Sequence, residues 1–324
     1  MERSSTPLRS RVVIAAIAEE ALMSKTTYTT LISPEQLVAL QASGQRCMVF
    51  DCSFDLGKPS VGRQQYEQAH VPGAVFADLD HDLSAKHGMP SSNGLVAVSQ
   101  ADQPASGGRH PLPNRERFSV WLSSVGFSND MQAVVYDRNG ANFCGRLWWM
   151  LKWAGHDAVA VLDGGLQAWQ AAGQPVNQGS EPSHFQTSFA LKPPLRRLVS
   201  ADQVLASLDS PSQTLIDARA PARYRGEVEP LDPVAGHIPG ALNRPFSENL
   251  AADGRFKPRE LLRAEFQQLL GERPADSVVH QCGSGVSALP NLLAMEVAGL
   301  GQTALFAGSW SEWCADARRP VERG

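Results

Sequence analysis

The sequence predicts an α/β protein built from two tandem copies of one domain, each a mainly parallel sheet covered by helices on both faces. The first observation is an internal repeat, in which Val134 to Asp137 matches Val278 to Gln281 at an offset of 144 residues. A second pair of matching segments lies at His70 to Ala74 and His237 to Ala241. A repeat unit longer than about 100 residues indicates a duplicated domain and not a solenoid.

The second observation is an alternation of short apolar runs with longer helical patterns, which is typical of a parallel sheet between helices. In the first copy we predict strands at Met48 to Phe50, Val134 to Tyr136 and Ala158 to Leu162. In the second copy we predict strands at Thr214 to Ile216, Val278 to His280 and Thr303 to Phe306, and helices at Pro258 to Leu270 and Leu289 to Ala298. Each copy should therefore be a doubly wound α/β unit.

Composition places the boundary between the copies. The segment from Gly173 to Pro194 is rich in Gly, Pro, Gln and Ser and has little periodicity, as expected of a linker. We predict a first domain over residues 25–174, a linker over residues 175–197 and a second domain over residues 198–324. Residues 1–24 are predicted to form a poorly ordered extension, because Glu19 and Glu20 interrupt an apolar run that otherwise imitates a signal peptide.

Charge and cysteine content exclude several classes of function. A formal net charge of −4 provides no basic surface for nucleic acid or anionic membranes. No run approaches the roughly 18 continuous apolar residues of a membrane span. The five cysteines show no C-x-x-C pair and no metal-ligand spacing, so neither a disulfide scaffold nor a zinc site is predicted. A reducing, cytoplasmic location is the expectation.

One cysteine occupies a position suited to chemistry. Cys282 follows the predicted strand at Val278 to His280 and precedes a helix that begins near Leu289, so its thiol lies at a strand-to-helix turn. Gly283 and Gly285 allow successive amide N–H groups to point at the sulfur, and the following helix N-terminus adds partial positive charge. Such surroundings stabilise a thiolate, the nucleophilic form of cysteine.

Other interpretations of this turn fit less well. The pattern G-x-G-x-x-A from Gly283 to Ala288 lacks the acidic residue that a dinucleotide site has about 20 positions later. A phosphatase loop would need arginine in place of Ala288 to grip phosphate, and a P-loop would need a lysine. A nucleophile elbow at Ser284 would need glycine where Cys282 stands. A buried structural cysteine is the remaining alternative.

The stretch Cys282-Gly283-Ser284-Gly285-Val286-Ser287-Ala288 closely resembles the active-site loop of the two-domain rhodanese-like sulfurtransferases, in particular the 3-mercaptopyruvate sulfurtransferases, whose usual form ends Val-Thr-Ala. The resemblance implies two rhodanese-like domains, of which the first is catalytically silent and closes over the site of the second. It implies catalysis by Cys282, with substrate binding by the loop residues Gly283, Gly285, Val286, Ser287 and Ala288.

The aligned loop of the first copy supports the idea of a silent domain. Arg138 stands at the position that corresponds to Cys282 and cannot carry a sulfur atom. We predict that Arg138 is solvated or held in a salt bridge. Cys144 aligns with Ala288, at the far end of the loop, and is predicted to be a packed apolar residue.

The resemblance also implies a cationic site for the donor. Arg219, Arg223 and Arg225 follow the predicted strand at Thr214 to Ile216, and Arg223 matches the family arginine that grips the substrate carboxylate. The other two arginines are predicted to lie on a solvated face. The family commonly has a further arginine nine residues after Arg223, where this chain has Asp232.

Acid–base roles are assigned by the same resemblance. His70 matches a histidine that forms a relay with an aspartate and the loop serine, which is Ser284 in this chain; the aspartate has no clear match. His237, in the equivalent turn of the second copy, is predicted to be structural. The stretch from Gly108 to Pro113 also resembles the family and receives no role.

The predicted function is sulfur transfer by ping-pong covalent catalysis without a metal or organic cofactor. Cys282 takes sulfur from a small anionic donor, 3-mercaptopyruvate, and passes it from a persulfide to cyanide, a thiol or a thioredoxin-like protein. Uncharged Gly283 and Ser284 favour a carboxylate donor, because members specialised for thiosulfate place basic residues there. Two alternatives stay open: thiosulfate as the donor, and a noncatalytic sulfur carrier or regulatory binding module.

Overall fold

A computed structural model describes residues 26–85 and 103–324. Its first sheet consists of β1 (Leu31–Ile32), β2 (Cys47–Asp51), β3 (Val75–Phe76), β4 (Gln132–Tyr136) and β5 (Val159–Leu162). Its second sheet consists of β6 (Arg197–Leu198), β7 (Thr214–Asp217), β8 (Leu242–Asn243), β9 (Val278–Gln281) and β10 (Ala304–Leu305). The predicted extension, residues 1–24, lies outside the described residues.

The two sheets have the same topology. Their strand orders are β1-β5-β4-β2-β3 and β6-β10-β9-β7-β8, and every neighbouring pair is parallel. The position of each strand in one sheet is occupied by its repeat partner in the other. The predicted tandem α/β fold is confirmed, and the sequence repeat corresponds to a structural duplication.

Helices cover the sheets. In the first domain they are α1 (Pro34–Ala42), α2 (Ser60–Gln68), α3 (Arg115–Ser124), α4 (Cys144–Trp153) and α5 (Gly165–Ala171). In the second they are α6 (Ala201–Ala206), α7 (Pro221–Tyr224), α8 (Arg259–Leu270), α9 (Leu289–Val297) and α10 (Ser309–Trp313). Ser33 and Ser200 begin α1 and α6 with capping boxes, in which the serine hydroxyl accepts from the backbone three residues on.

The domains share an apolar core. The helix that follows β4 packs on the helix that follows β9, and Gly145 of α4 lies so close to Leu289 of α9 that a Cβ at residue 145 would be 3.1 Å from the Leu289 Cβ. Buried residues of both sheets and both helices belong to one continuous cluster. The interface therefore brings the loops at the carboxyl ends of β4 and β9 together. No helix in residues 26–85 or 103–324 has the length and apolar character to cross a membrane.

Candidate active site

The nucleophile predicted from the sequence lies between β9 and α9. Cys282 is buried, its backbone N–H donates to the Ser309 Oγ at 3.1 Å, and its carbonyl accepts from the Trp310 N–H at 3.0 Å. Ser309 and Trp310 begin α10, so the start of that helix fixes the backbone at the cysteine. Burial of the thiol suits a reaction in a closed site from which water is excluded.

Gly285 shapes the turn that follows the cysteine. Its φ is +75°, a conformation that L side chains rarely adopt, and a Cβ there would lie 2.0 Å from the carbonyl oxygen of Ala307. Only glycine fits this position. The loop therefore folds back against the segment between β10 and α10.

The amides from Gly283 to Ala288 form what we call the amide cradle. Within the described part of the chain these N–H groups donate to no backbone carbonyl. The side chains of Val286 and Ala288 are buried in the interdomain core, whereas Ser287 is partly exposed. Consequently Val286 and Ala288 can act on a ligand only through their backbone N–H groups.

Two guanidinium groups lie above the start of the cradle. A Cβ placed on Gly283 would be 3.3 Å from Arg109 and 3.4 Å from Arg223. Arg223, which the sequence predicts as a substrate-binding residue, also donates to Glu229 at 2.6 Å and to Asp232 at 3.3 Å. Arg109 comes from the other domain and was not predicted. A cationic site thus faces Gly283, the residue next to the candidate nucleophile.

The remaining two arginines of the cluster differ from each other. Arg219 is buried and donates to Asp217 at 2.6 Å, so the prediction that it is solvated is wrong. The sequence alone did not indicate the burial of Arg219. Its partner, Asp217, is the last residue of β7 and lies two positions earlier. Arg225 is exposed and pairs with Glu227 at 2.7 Å, as expected of a solvated side chain.

The histidine at the loop serine is His110. Its Nδ1 lies 2.8 Å from the Ser284 Oγ, and its Nε2 lies 3.5 Å from the Asp80 Oδ1. All three side chains are buried. The order carboxylate, imidazole, hydroxyl is that of a proton relay. The stretch from Gly108 to Pro113 carried this signal, because it resembled the family and contained a histidine without a role.

The relay predicted for His70 is wrong. His70 Nδ1 bonds to the Tyr66 carbonyl at 2.7 Å, its Nε2 bonds to Glu181 at 3.1 Å, and its ring stacks on Tyr66. The internal repeat explains why the prediction is wrong. His237, in the equivalent turn of the second domain, bonds to the Tyr224 carbonyl at 2.8 Å and stacks on the Tyr224 ring. A histidine that does the same in both copies stabilises the shared fold, so His70 has no contact with Ser284.

A buried arginine connects the first domain to the amide cradle. Arg146 of α4 donates to the carbonyls of Gly285, His110 and Leu83 at 3.1, 2.8 and 3.2 Å. Burial lowers the pKa of Arg146 to about 9, and the neighbouring Cys282 opposes that shift. Arg146 therefore remains cationic at neutral pH close to the candidate nucleophile, Cys282. It also fixes the cradle relative to the relay histidine.

Both halves of the chain are similar to a known type of domain. A model of the rhodanese-like domain matches residues 33–172 and again residues 200–316. The chain belongs to the rhodanese-like family. Among solved structures, 3-mercaptopyruvate sulfurtransferase from Leishmania major is similar with a TM-score of 0.73 and 30% identity, over 90% of this chain and 76% of that chain.

Named relatives of this rhodanese-like protein are sulfurtransferases. "Probable 3-mercaptopyruvate sulfurtransferase" of Pseudomonas aeruginosa is 45% identical over 91% of this chain and 98% of its own length. Thiosulfate sulfurtransferase of Mus musculus is 33% identical over 90% of this chain and 94% of its own. The predicted family and the predicted class of enzyme, a sulfurtransferase, are confirmed.

In the first rhodanese-like domain, the loop that follows β4 binds a carboxylate of the same domain. The Asp137 carboxylate, at the end of β4, accepts N–H groups from Asn139, Ala141, Phe143 and Cys144 at 2.8, 3.1, 2.8 and 2.9 Å. These four residues align with four residues of the amide cradle, and Ala141 has a φ of +63° where Gly285 has +75°. Burial raises the pKa of Asp137, and the four hydrogen bonds oppose the shift. In the first domain this loop therefore surrounds a carboxyl group.

In that domain the position that corresponds to Cys282 is occupied by Arg138, which forms a salt bridge. Arg138, which aligns with Cys282, bonds to Asp51 at 3.1 Å and also contacts Ser53. This agrees with the salt-bridged arginine predicted from the sequence. Cys144 is fully buried, and burial raises its pKa well above the ordinary value for a thiol. Arg138 has no thiol and the Cys144 thiol resists ionisation, so neither position has a reactive thiolate.

Proposed function

We propose that this protein is a 3-mercaptopyruvate sulfurtransferase whose Cys282 carries the transferred sulfur as a persulfide. The observation that supports the proposal best is the arrangement around the thiol: an amide cradle on one side, the Ser284–His110 pair at 2.8 Å, and two guanidinium groups above Gly283. These three features match the three parts of the donor, namely its sulfur, its keto oxygen and its carboxylate.

The first half-reaction follows from these positions. The Cys282 thiolate attacks the sulfur of 3-mercaptopyruvate, an S–S bond forms, and the C–S bond breaks with its electron pair moving to carbon. The Ser284 hydroxyl donates a hydrogen bond to the enolate oxygen that develops. The thiol proton of the donor ends on the carbon, which yields pyruvate, and the enzyme retains a persulfide anion.

The amide cradle stabilises the terminal sulfur of that persulfide. At the repeat offset of 144 residues, four of its six N–H donors, those of Gly283, Gly285, Ser287 and Ala288, align with the four amides that surround the Asp137 carboxylate in the first domain. Charge-assisted hydrogen bonds are about twice as strong as neutral ones, especially where water is excluded. In the second half-reaction an acceptor thiolate or cyanide attacks the terminal sulfur and restores the Cys282 thiolate.

The acceptor is cyanide, a small thiol or a reduced thioredoxin-like protein. A reducing compartment such as the cytoplasm suits this cycle, because the nucleophile must return to its reduced form. All five cysteines are free thiols in the described residues. Among those residues there is also no group of three or more His, Cys, Asp or Glu side chains that could hold a metal ion.

Thiosulfate is the second candidate donor. Arg109 and Arg223 together place two cations near Gly283, which suits a dianion. The uncharged Gly283 and Ser284 favour 3-mercaptopyruvate instead, because they adjoin the reacting sulfur and the serine can bond a keto oxygen that thiosulfate lacks.

Mass spectrometry of the protein after reaction with 3-mercaptopyruvate tests the proposal. We expect one added sulfur atom on the peptide that contains Cys282, loss of that sulfur on addition of cyanide, and no adduct in Cys282→Ser. Steady-state kinetics should give a higher kcat/KM for 3-mercaptopyruvate than for thiosulfate. A stable adduct without repeated turnover would indicate a sulfur carrier, and a preference for thiosulfate would make that the donor.

A further inference from the structure

Ser309 has an unusual backbone conformation. It begins α10 with a φ of +54°, in the left-handed region, and among the described residues Ala141 is the one other non-glycine residue with a positive φ. A side chain in this region costs free energy relative to glycine, and such strain persists where the surroundings or a function require it. Ser309 is fully buried. Contacts of its buried side chain must therefore offset the strain.

The hydroxyl of Ser309 joins two buried backbone groups. It donates its proton to the Phe306 carbonyl at 3.0 Å, which leaves a lone pair to accept the Cys282 N–H at 3.1 Å. Because a hydroxyl has a single donor, the first bond fixes the direction of the second. The side chain thus holds the backbone of the candidate nucleophile from a position 27 residues later in the chain.

The two residues after Ser309 bond to the same stretch of backbone. The Trp310 N–H donates to the Cys282 carbonyl at 3.0 Å, and the Ser311 N–H donates to the Gly283 carbonyl at 2.9 Å. Together with the Ser309 hydroxyl, these bonds hold both peptide groups that flank the Cα of Cys282. Since those groups set φ and ψ, the direction of the Cα–Cβ bond is fixed and the sulfur moves only by rotation about χ1.

The first domain has no hydroxyl at the corresponding position. At the repeat offset of 144 residues Gly165 corresponds to Ser309, and its φ of +58° is nearly the same. A Cβ on Gly165 would lie 2.2 Å from the Asp137 carbonyl oxygen, so no side chain fits there. The shared fold thus forms with an unstrained glycine. Of the two domains, only the one that contains Cys282 has the strained serine and the space for its side chain.

We propose that Ser309 is a positioning residue, which fixes the backbone of Cys282 so that a persulfide on this cysteine lies in the amide cradle. The left-handed strain at residue 309 is tolerated because glycine could not make this contact. The proposal rests on the proposed function, since it requires Cys282 to carry sulfur. Ser309 acts through the backbone of Cys282 and needs no contact with the donor.

Two substitutions separate positioning from stabilisation. Ser309→Ala and Ser309→Gly both remove the hydroxyl, but only glycine also relieves the backbone strain, so Ser309→Gly should have the higher Tm. If the hydroxyl positions the sulfur, both variants should lower kcat/KM for 3-mercaptopyruvate by a similar factor, roughly ten- to hundredfold, despite their different stabilities. A purely structural role predicts instead that activity follows stability, with Ser309→Gly close to the wild type.

Ala141→Gly is the matched control. It relieves the same kind of strain, at a φ of +63°, at a buried position of the first domain and removes no hydroxyl. We expect it to raise the Tm and leave kcat/KM unchanged. Steady-state kinetics and thermal unfolding of the three variants make the comparison. Wild-type activity in both Ser309 variants, or a loss of activity confined to Ser309→Ala, would overturn the proposal.

Loading with inorganic tetrasulfide separates this proposal from the choice of donor. The Cys282 thiolate attacks a terminal sulfur of the tetrasulfide dianion, an S–S bond forms, and trisulfide leaves with the electron pair. We expect both Ser309 variants to gain one sulfur atom on the Cys282 peptide about tenfold more slowly than the wild type, measured by mass spectrometry.

The two proposals then fail in different ways. A wild-type protein that is loaded by tetrasulfide but not by 3-mercaptopyruvate would disprove the proposed function, and slow loading of the variants would still support the role of Ser309. Equal loading rates in the wild type and in both Ser309 variants would disprove that role.

Discussion

At the scale of single residues, the same type of side chain can take part in a reaction or stabilise the fold, and only its surroundings determine which. His70 and His110 are both buried histidines. His70 bonds to a carbonyl of its own domain, whereas His110 bonds to the Ser284 hydroxyl of the other domain. The sequence could not distinguish them, because the contact that decides the role joins residues 174 positions apart.

The two histidines should respond differently to the same substitution. His110→Asn should lower kcat with 3-mercaptopyruvate by about 10²- to 10⁴-fold, the range of general acid–base contributions, because Ser284 loses its partner. His70→Asn should lower the Tm and leave kcat within about twofold. Kinetics and thermal unfolding of both variants check this, and a His70→Asn enzyme as inactive as His110→Asn would restore the original assignment.

A third histidine makes stability depend on pH. His280 of β9 is fully buried, neither ring nitrogen has a partner among the described residues, and burial together with Arg244 lowers its pKa to about 3. An unfolded histidine has a pKa near 6.5. Between these values the unfolded chain binds a proton that the folded chain does not. The free energy of unfolding therefore decreases as the pH falls from about 6.5 toward 3.

His280→Leu should reduce this acid sensitivity. The substitution removes two unpaired polar atoms from an apolar face, so we expect equal or greater stability at pH 7. Between pH 6 and 4 the slope of unfolding free energy against pH should fall by about 1.4 kcal/mol per unit. Urea unfolding at several pH values measures the slope, and identical slopes in both proteins would contradict the linkage.

At the scale of elements, local pattern was sufficient for six of the ten strands in the described residues and for the turn at Cys282, whereas β1, β3, β6 and β8, of two residues each, were not predicted. The predicted strand at Val278 to His280 is β9, Val278–Gln281, and the predicted helix from Leu289 to Ala298 is α9, Leu289–Val297. Apolar runs and glycines specify such elements because their causes lie within a few residues. The position of Arg109 was not predictable in this way, since it depends on a contact between a loop and α10.

Gly285 determines the shape of the turn after Cys282, and Gly240 provides a matched control for its substitution. Gly240 has almost the same φ, +73°, and a Cβ there meets nothing within 4 Å. Gly240→Ala should cost only the strain of the left-handed conformation, about 1–2 kcal/mol. Gly285→Ala adds a clash with the Ala307 carbonyl and should displace the amide cradle, so both stability and kcat/KM should fall further. Urea unfolding and kinetics that gave equal effects would contradict this view of the turn.

At the scale of the whole molecule, the site is complete only where the two domains meet. In the proposed site, the second domain supplies Cys282, the amide cradle and Arg223. The first supplies Arg109, His110 and, through Arg146, a hydrogen bond to the cradle. The sequence predicted the duplication and the silent domain but not the contributed residues, because an offset between repeats carries no information about how the copies pack.

The second domain alone should transfer sulfur poorly. Residues 198–324 would lose all three contributed side chains and expose apolar surface that is now part of the shared core. We expect at least about a hundredfold lower kcat/KM than the full chain, because positioning and water exclusion are lost. Circular dichroism should establish whether the fragment folds, and a folded fragment with full specific activity would refute a shared site.

The Asp137 carboxylate, which the loop of the first domain encloses, affects whether that loop could be converted into a second working site. Replacing Arg138 by cysteine would restore a thiol, yet that thiol would adjoin four N–H groups already bonded to Asp137 and would leave Asp51 without its salt bridge. A working site in the first domain would thus require changes around Asp137 and Asp51 as well as at Arg138, so no single substitution would create it.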